Sequence, residues 1–142
     1  MIKNSEFTDK LRLSNLRPTK QRLKICEVLF NRGTTFHFTI NDLAKIISEK
    51  LNEKISLATV YNTVHAFKQK GYLKEISINS NKSYFDTNTS EHHHFFDEET
   101  GELIDCNKDD IDIVNVKRKI PGKKVNSVEV LIKIASNNHN QN

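Results

Sequence analysis

The run Glu91-His92-His93-His94 is the densest concentration of potential metal ligands in this 142-residue chain. On an extended strand successive side chains alternate, so His92 and His94 share one face and His93 takes the other. Two imidazoles on one face chelate a single ion, and carboxylates or further histidines complete its four to six positions. Asp86 precedes the run, Asp105 follows on the next extended segment, and His37 stands far upstream. That set of nitrogen and oxygen donors, without thiolate, suits Fe(II), Mn(II) or Zn(II). Three adjacent histidines also offer an axial ligand to haem. The plain alternative is a solvent-facing polar strand.

Other site chemistries find little support. Cys26 and Cys106 stand far apart with no partner nearby, which excludes a disulfide framework and a cysteine-rich zinc ribbon. Cys26 falls on the apolar side of a helix, and Cys106 ends a strand. There is no Ser/His/Asp arrangement, no HExxH and no phosphate-cradling glycine loop, so the chain is read as a non-enzyme. No apolar run reaches the roughly 18 residues of a membrane span, and MIKNSEFTDK lacks a signal-peptide core. A cytoplasmic protein is expected, with no membrane partner.

The formal charge of +4 averages two unlike parts. Residues 1–87 hold 15 Lys/Arg against 8 Asp/Glu, a net +7; residues 88–142 hold 7 against 10, a net −3. The break predicts two units, a basic one drawn to a polyanion and an acidic one carrying the histidines. The expected boundaries are 1–87, 88–136 and a disordered tail over 137–142.

These are the elements that must position the ligands. A short helix is expected over 8–15, opening on Thr8. In the next helix Pro18 occupies the first turn, and Leu23, Ile25, Val28, Leu29 and Phe30 form its apolar face until Gly33 breaks it. Thr39 caps a third helix with Asp42 three residues on, and Ile40, Leu43, Ile46, Ile47 and Leu51 make its stripe. Ser56 caps a fourth that ends at Gly71, with Leu57, Val60, Val64 and Phe67 on its core side. Leu73–Ile78 and Ser83–Asp86 then read as strands joined by a turn at 79–82. Helices followed by a small hairpin describe a winged helix-turn-helix. Beyond it, His92–Phe96, Glu102–Cys106 and Val125–Ile134 read as strands, while 109–119 is ambiguous between strand and short helix. The fold class is α+β, a winged helix followed by a small, mostly β domain.

The fourth helix carries a second chemistry. Ala58, Thr59, Tyr61, Asn62 and His65 fall off its apolar stripe, most of them in the first two turns. A helix in the major groove reads bases with its N-terminal turns. Asn pairs bidentately with adenine, and an aromatic ring packs on the thymine methyl. Arg17, Lys20, Arg22 and Lys24 are placed to hold phosphates.

The blocks LRPTKQRLKICEVLF, HFTINDLAKII, ISLATVYNTVHAFKQKGYLKE and KSYFDTNTSEHHHFFDEETGELIDC together resemble the ferric uptake regulator (Fur) superfamily. SLATVYNT, YFDTN and HHHFF resemble its iron-response regulator branch, Irr. The resemblance covers 11–106 closely and 107–134 loosely. It implies a homodimer binding double-stranded DNA at an AT-rich inverted repeat, through an N-terminal winged helix and a C-terminal dimerisation domain. It implies base contact by Tyr61 with Asn62 beside it, Thr59 at phosphate, Arg17 towards the minor groove, and Lys20, Ser56 and Ala58 within the DNA face. A regulatory metal is implied at His37, Asp86, His92, His94 and Asp105. The Irr branch adds haem at His92, His93 and His94, and with it a haem-delivery partner.

Three departures shape the expectation. Asp97 and Thr100 stand where the superfamily's zinc-binding CxxC pair would be, so no cysteine-ligated structural zinc is expected. No Cys-Pro element is present. Residues 107–124, which hold Pro121-Gly122, leave little room for a dimer-domain helix. Of a second metal site only Glu91 and His93 remain, with Asp112 as a third donor. The function expected is a metal- and haem-responsive regulator of iron homeostasis, the alternative being a metal-only repressor. A metal carrier would keep the histidines but show no salt-dependent duplex binding. A metallohydrolase would need an open coordination position and turnover.

Overall fold

The computed structural model describes residues 3–51, 54–112 and 115–137, with Leu51 described by its backbone alone. The chain divides into two compact units, Met1–Thr89 and Ser90–Asn142. Each has its own three-stranded sheet.

The N-terminal unit opens with α1 (Asn4–Leu13), α2 (Lys20–Phe30), β1 (His37–Phe38), α3 (Ile40–Leu51) and α4 (Leu57–Gln69). The strands β2 (Lys74–Asn79) and β3 (Lys82–Asp86) complete it. α1 starts four residues before the expected Thr8, because Phe7 and Leu11 are both buried and share a face only if Phe7 is already helical. It also ends earlier than expected. Asn15 takes φ 60°, its N–H reaches the Arg12 carbonyl at 3.0 Å, and Leu16 N–H reaches the Leu11 carbonyl at 2.9 Å. That double closure satisfies the last carbonyls of the helix. Pro18 lies outside α2, not in its first turn; Thr19 is the cap and accepts from Arg22 N–H at 3.2 Å.

α3 and α4 follow their expected caps. Thr39 and Asp42 exchange side chain-to-backbone hydrogen bonds, both 3.1 Å, in a reciprocal capping box. Ser56 accepts from Thr59 N–H at 3.1 Å. The core face of α4 is Val60, Thr63, Val64 and Phe67, not one beginning at Leu57, whose side chain is 53% exposed. Thr63 is buried at no polar cost because its hydroxyl donates to the Thr59 carbonyl at 2.8 Å. Gly71, at φ +79°, closes the helix as Tyr72 N–H reaches the Phe67 carbonyl at 2.9 Å. The expected stripe residue Leu51 has its side chain outside the described residues.

The sheet order is β1-β3-β2, antiparallel throughout. β1 lies in the connection between α2 and α3, which the sequence left unassigned. Phe36 stacks on Phe38 at 5.1 Å and Phe38 on Phe85 at 5.8 Å, so an aromatic row seats this two-residue strand against β3. Phe38 points into the core, and the strand's alternation turns His37 the other way.

In the C-terminal unit β4 (His93–Asp97) and β5 (Leu103–Cys106) form a hairpin, and β6 (Leu131–Ile134) runs parallel to β4 on its other side. The hairpin turn is tied by Asp97, whose carboxylate accepts from Glu99 N–H at 2.9 Å and Thr100 N–H at 3.2 Å. Those hydrogen bonds hold its pKa below the usual carboxylate range. Two strand expectations change. β4 begins at His93 rather than His92, and β6 is shorter than the expected Val125–Ile134. Val130 N–H donates to His93 Nδ1 at 3.0 Å, so a side chain takes the amide just before the paired strand. Among the described residues of 109–119 the one regular element is the end of a 3-10 turn, Lys108–Asp110, whose Asp110 accepts from Asn107 N–H at 3.0 Å. Residues 113, 114 and the expected tail from 138 onward lie outside the described residues.

Both cysteines are buried free thiols. Burial pushes the Cys26 thiol up to about 12 and raises that of Cys106. At pH 8 the native protein is expected to show no fast thiol reaction with a disulfide reagent, and two thiols in denaturant. A second expected outcome concerns Asn15. Its replacement by Ala should lower stability by roughly 1 kcal/mol and replacement by Gly should not, as thermal melts would show.

Candidate metal centre and nucleic-acid face

Each unit presents its own set of metal-type donors. In the N-terminal unit the register of β1 on β3 puts His37 directly opposite Asp86. His37 Nε2 lies 3.2 Å from Asp86 Oδ2. The other carboxylate oxygen of Asp86 accepts from Asn88 N–H at 2.8 Å, which orients the group. Asp86 is fully buried, a position a carboxylate holds only with hydrogen bonds and positive charge around it.

In the C-terminal unit three donors converge. β4 and β5 pair His94 with Asp105, and the hairpin brings Asp105 under both imidazoles. Asp105 Oδ1 lies 3.3 Å from His92 Nε2 and 3.4 Å from His94 Nε2, and the two rings are 4.4 Å apart. His92 precedes the strand, yet its ring is fixed: Nδ1 lies 2.7 Å from the Ser90 carbonyl. A carbonyl only accepts, so Nδ1 carries the hydrogen and Nε2 is turned to Asp105. An imidazole nitrogen and a carboxylate this close attract each other when a cation, proton or metal, lies between them. A backbone carbonyl on the far nitrogen is the usual support of a metal-ligating histidine.

The weaker second set behaves differently. Glu91, His93 and Asp112 line one cavity of about 400 Å³ with Lys108. His93 Nδ1 is occupied by Val130 N–H, and among the described residues these donors do not meet as a ligand cluster.

The DNA-type residues lie on the outer side of α4. Tyr61 is 51% exposed and stacks flat on His65, one turn later, at 5.6 Å. Ser56, Ala58 and Asn62 are exposed, and Thr59 is half-buried with its hydroxyl 2.9 Å from that of Ser56. Leu57 joins them, a residue that sequence reasoning assigned to the core. Its place in the first helical turn, one residue after the cap, was the available signal. A cleft of about 670 Å³ runs from Tyr61 to the start of α3 and the wing, where Lys82 and Ser83 line it. Arg17 and Lys20 are exposed near the start of α2, while Arg22 donates to the Arg17 carbonyl at 3.1 Å and Lys24 pairs with Glu27 at 3.6 Å. Lys68 holds Glu75 at 2.9 Å and so ties α4 to β2. Hydrogen bonds from Ser83 and Lys68 keep the Glu75 carboxyl more acidic than usual.

Among the described residues no helix is long and apolar enough to cross a membrane. A model of the ferric uptake regulator family matches residues 13–134. The peroxide operon regulator of Bacillus subtilis is 34% identical over 109 residues, covering 77% of this chain and 73% of that protein. Two solved structures share the fold. The ferric uptake regulator of Pseudomonas aeruginosa, with manganese, superposes at TM-score 0.64 and 22% identity, covering 97% of this chain and all of that one. That of Vibrio cholerae superposes at 0.67 and 22%, covering 91% and 98%. The chain belongs to the ferric uptake regulator family, whose members are transcription regulators and not enzymes.

Proposed function

We propose that this chain is a metal-responsive, DNA-binding regulator of iron homeostasis, acting in the cytoplasm as a homodimer on an AT-rich inverted repeat. One observation carries the metal part: His92 Nε2 and His94 Nε2 converge on Asp105 Oδ1 at 3.3 and 3.4 Å, with His92 braced through Nδ1 against the Ser90 carbonyl. In this reading His92, His94 and Asp105 hold Fe(II), Mn(II) or Zn(II) together with His37 and Asp86, a mixed set of a size such ions take. A divalent cation, when bound, supplies the positive charge that these acceptors require. The positions taken by a CxxC pair elsewhere in the superfamily are Asp97 and Thr100, and Asp97 is spent on its own turn, which supports a protein without cysteine-ligated zinc.

On the DNA side, Tyr61, Asn62, Ala58 and Leu57 face the bases, Ser56 and Thr59 the backbone at the helix start, and Arg17 and Lys20 the flanking phosphates. A dimer places two such helices about 34 Å apart, one helical turn of the duplex. The second copy is proposed to seat on the outer face of the C-terminal sheet. There Phe95, Ile104 and Ile132 lie side by side in register, with Phe95 and Ile132 half-buried and Ile104 exposed.

Two finer readings divide on the signal. The HHHFF and SLATVYNT blocks support an Irr-like haem response through His92, His93 and His94. The Bacillus subtilis relative is a peroxide operon regulator, which supports a response to peroxide. Haemin, hydrogen peroxide and a chelator, each titrated into the Mn(II)-loaded protein on duplex, separate them by fluorescence anisotropy. Release at stoichiometric haemin assigns the Irr type, release by peroxide the peroxide type, and release by chelator alone a metal-only switch. No binding to the duplex under any condition sinks the DNA reading.

Replacing His94 by Ala is expected to weaken Mn(II) binding at least tenfold by calorimetry, the scale on which even supporting residues act. Unchanged affinity would remove the site. Ile104→Asp is expected to shift the protein to monomers in sedimentation while leaving metal binding in place. A variant that stays dimeric would move the dimer contact elsewhere.

A further inference from the structure

We propose that residues 117–124 form a second phosphate-gripping element, a basic turn that binds the backbone of duplex DNA without regard to sequence. Lys117, Arg118, Lys119, Lys123 and Lys124 fall within eight positions, and no acidic residue stands between Asp112 and Glu129. All five are exposed. None forms an ion pair among the described residues. The setting makes this unusual. Residues 90–112 of the same unit carry nine acidic side chains and one basic one, yet the cations do not pair with them.

The backbone between the two basic groups is fixed. Pro121 and Gly122 occupy the centre of a turn, Gly122 at φ +75°, with Lys123 N–H donating to the Ile120 carbonyl at 3.0 Å. Proline then glycine at these positions is the pattern of a type II turn. Lys117–Lys119 and Lys123–Lys124 therefore sit on the two limbs of one bend, held without help from a helix or sheet. A pre-set bend loses less conformational freedom when it meets a ligand. Five like charges this close repel one another, and the arrangement is relieved by a polyanion.

Duplex DNA fits that requirement best. It presents a charge every 1.7 Å or so along its axis and releases a counterion for each cation that lands on it. Carboxylates on a second copy fit less well, because Asp97, Glu99, Asp105 and Asp110 are already engaged within their own unit. A second copy would be drawn by the exposed Val116, Ile120 and Val125, which charge removal leaves in place.

The inference rests on the DNA-binding reading above and is tested beside it. The full chain with Mn(II) is titrated onto the AT-rich inverted repeat and onto a scrambled duplex of equal length, from 50 to 200 mM NaCl. The variants are K117Q/R118Q/K119Q/K123Q/K124Q and K117R/K119R/K123R/K124R. Loss of two or more phosphate contacts makes the slope of log affinity against log salt shallower by about 0.9 per contact. Over that salt range the wild type should lose about tenfold more affinity than the glutamine variant, equally on both duplexes. The arginine variant should keep the wild-type slope. A glutamine variant with the wild-type slope overturns the proposal while leaving the DNA reading intact. So does a glutamine variant that turns monomeric in sedimentation, which would assign the turn to a second copy. Failure of the wild type to bind either duplex removes both readings.

Discussion

Two imidazole nitrogens drawn onto one carboxylate oxygen are the constraint on which the C-terminal unit turns. His92 donates its Nδ1 hydrogen to the Ser90 carbonyl, which turns Nε2 towards Asp105. That nitrogen, a second imidazole and the Asp105 carboxylate crowd within 3.3–3.4 Å contacts. The sheet imposes this crowding: the β4–β5 register sets His94 across from Asp105, and His92 is brought in from just before the strand. Asp97 ties the turn that fixes that register through two backbone N–H groups, a function that needs no metal. A hairpin tied in this way keeps the three side chains together.

The N-terminal unit solves a related problem by different means. His37 is held opposite Asp86 by a strand only two residues long, too short to be stable by its ladder alone. The row Phe36, Phe38 and Phe85 supplies what the ladder lacks, and Thr87 accepts from Phe36 N–H at 3.0 Å on the way into the strand. Burying Phe38 dictates that His37 points away from the core, because a strand alternates. The orientation of His37 is thus a by-product of a packing decision one residue away. The same unit leaves the outer side of α4 polar and solvated, because Val60, Thr63, Val64 and Phe67 use up its inner side.

How much of this is legible in the sequence depends on whether the signal is local. Caps at Thr39 and Ser56 and the stop at Gly71 are decided within four residues, and they stand in the structure where the sequence places them. The sequence places His94 on a strand with Asp105 on the next, but their facing needs the hairpin register, and His92 comes in from just before β4. Tertiary contacts decide the rest. α1 begins at Asn4 because Phe7 has a core to enter, which no cap at Lys3 announces. β6 begins at Leu131 because the His93 ring, 37 positions away, takes the Val130 amide. Leu57 matches the apolar spacing of α4 but lies in its first turn, where it stays exposed. β1 leaves no periodic trace, since two residues cannot show a period.

A regulatory ion must bind one arrangement of a protein better than another, or it shifts nothing however tightly it is held. An ion held by His92, His94 and Asp105 alone meets the same three atoms whatever the N-terminal unit is doing, and carries no information to α4. Donors from both units, as proposed above, would change that, because each added ligand contributes affinity only when both units hold the ion. Moving a population from one part in a hundred to ninety-nine takes a difference of about 10⁴-fold in affinity, or about 5.5 kcal/mol. A buried carboxylate and an imidazole together are of the right scale to provide it, since a charged hydrogen-bonding partner alone contributes about 1.5–3 kcal/mol. On the proposed reading, His37 and Asp86 would be the residues that turn a metal-binding unit into a switch. Their loss should separate metal affinity, which the C-terminal trio largely retains, from metal-dependent DNA binding, which it does not.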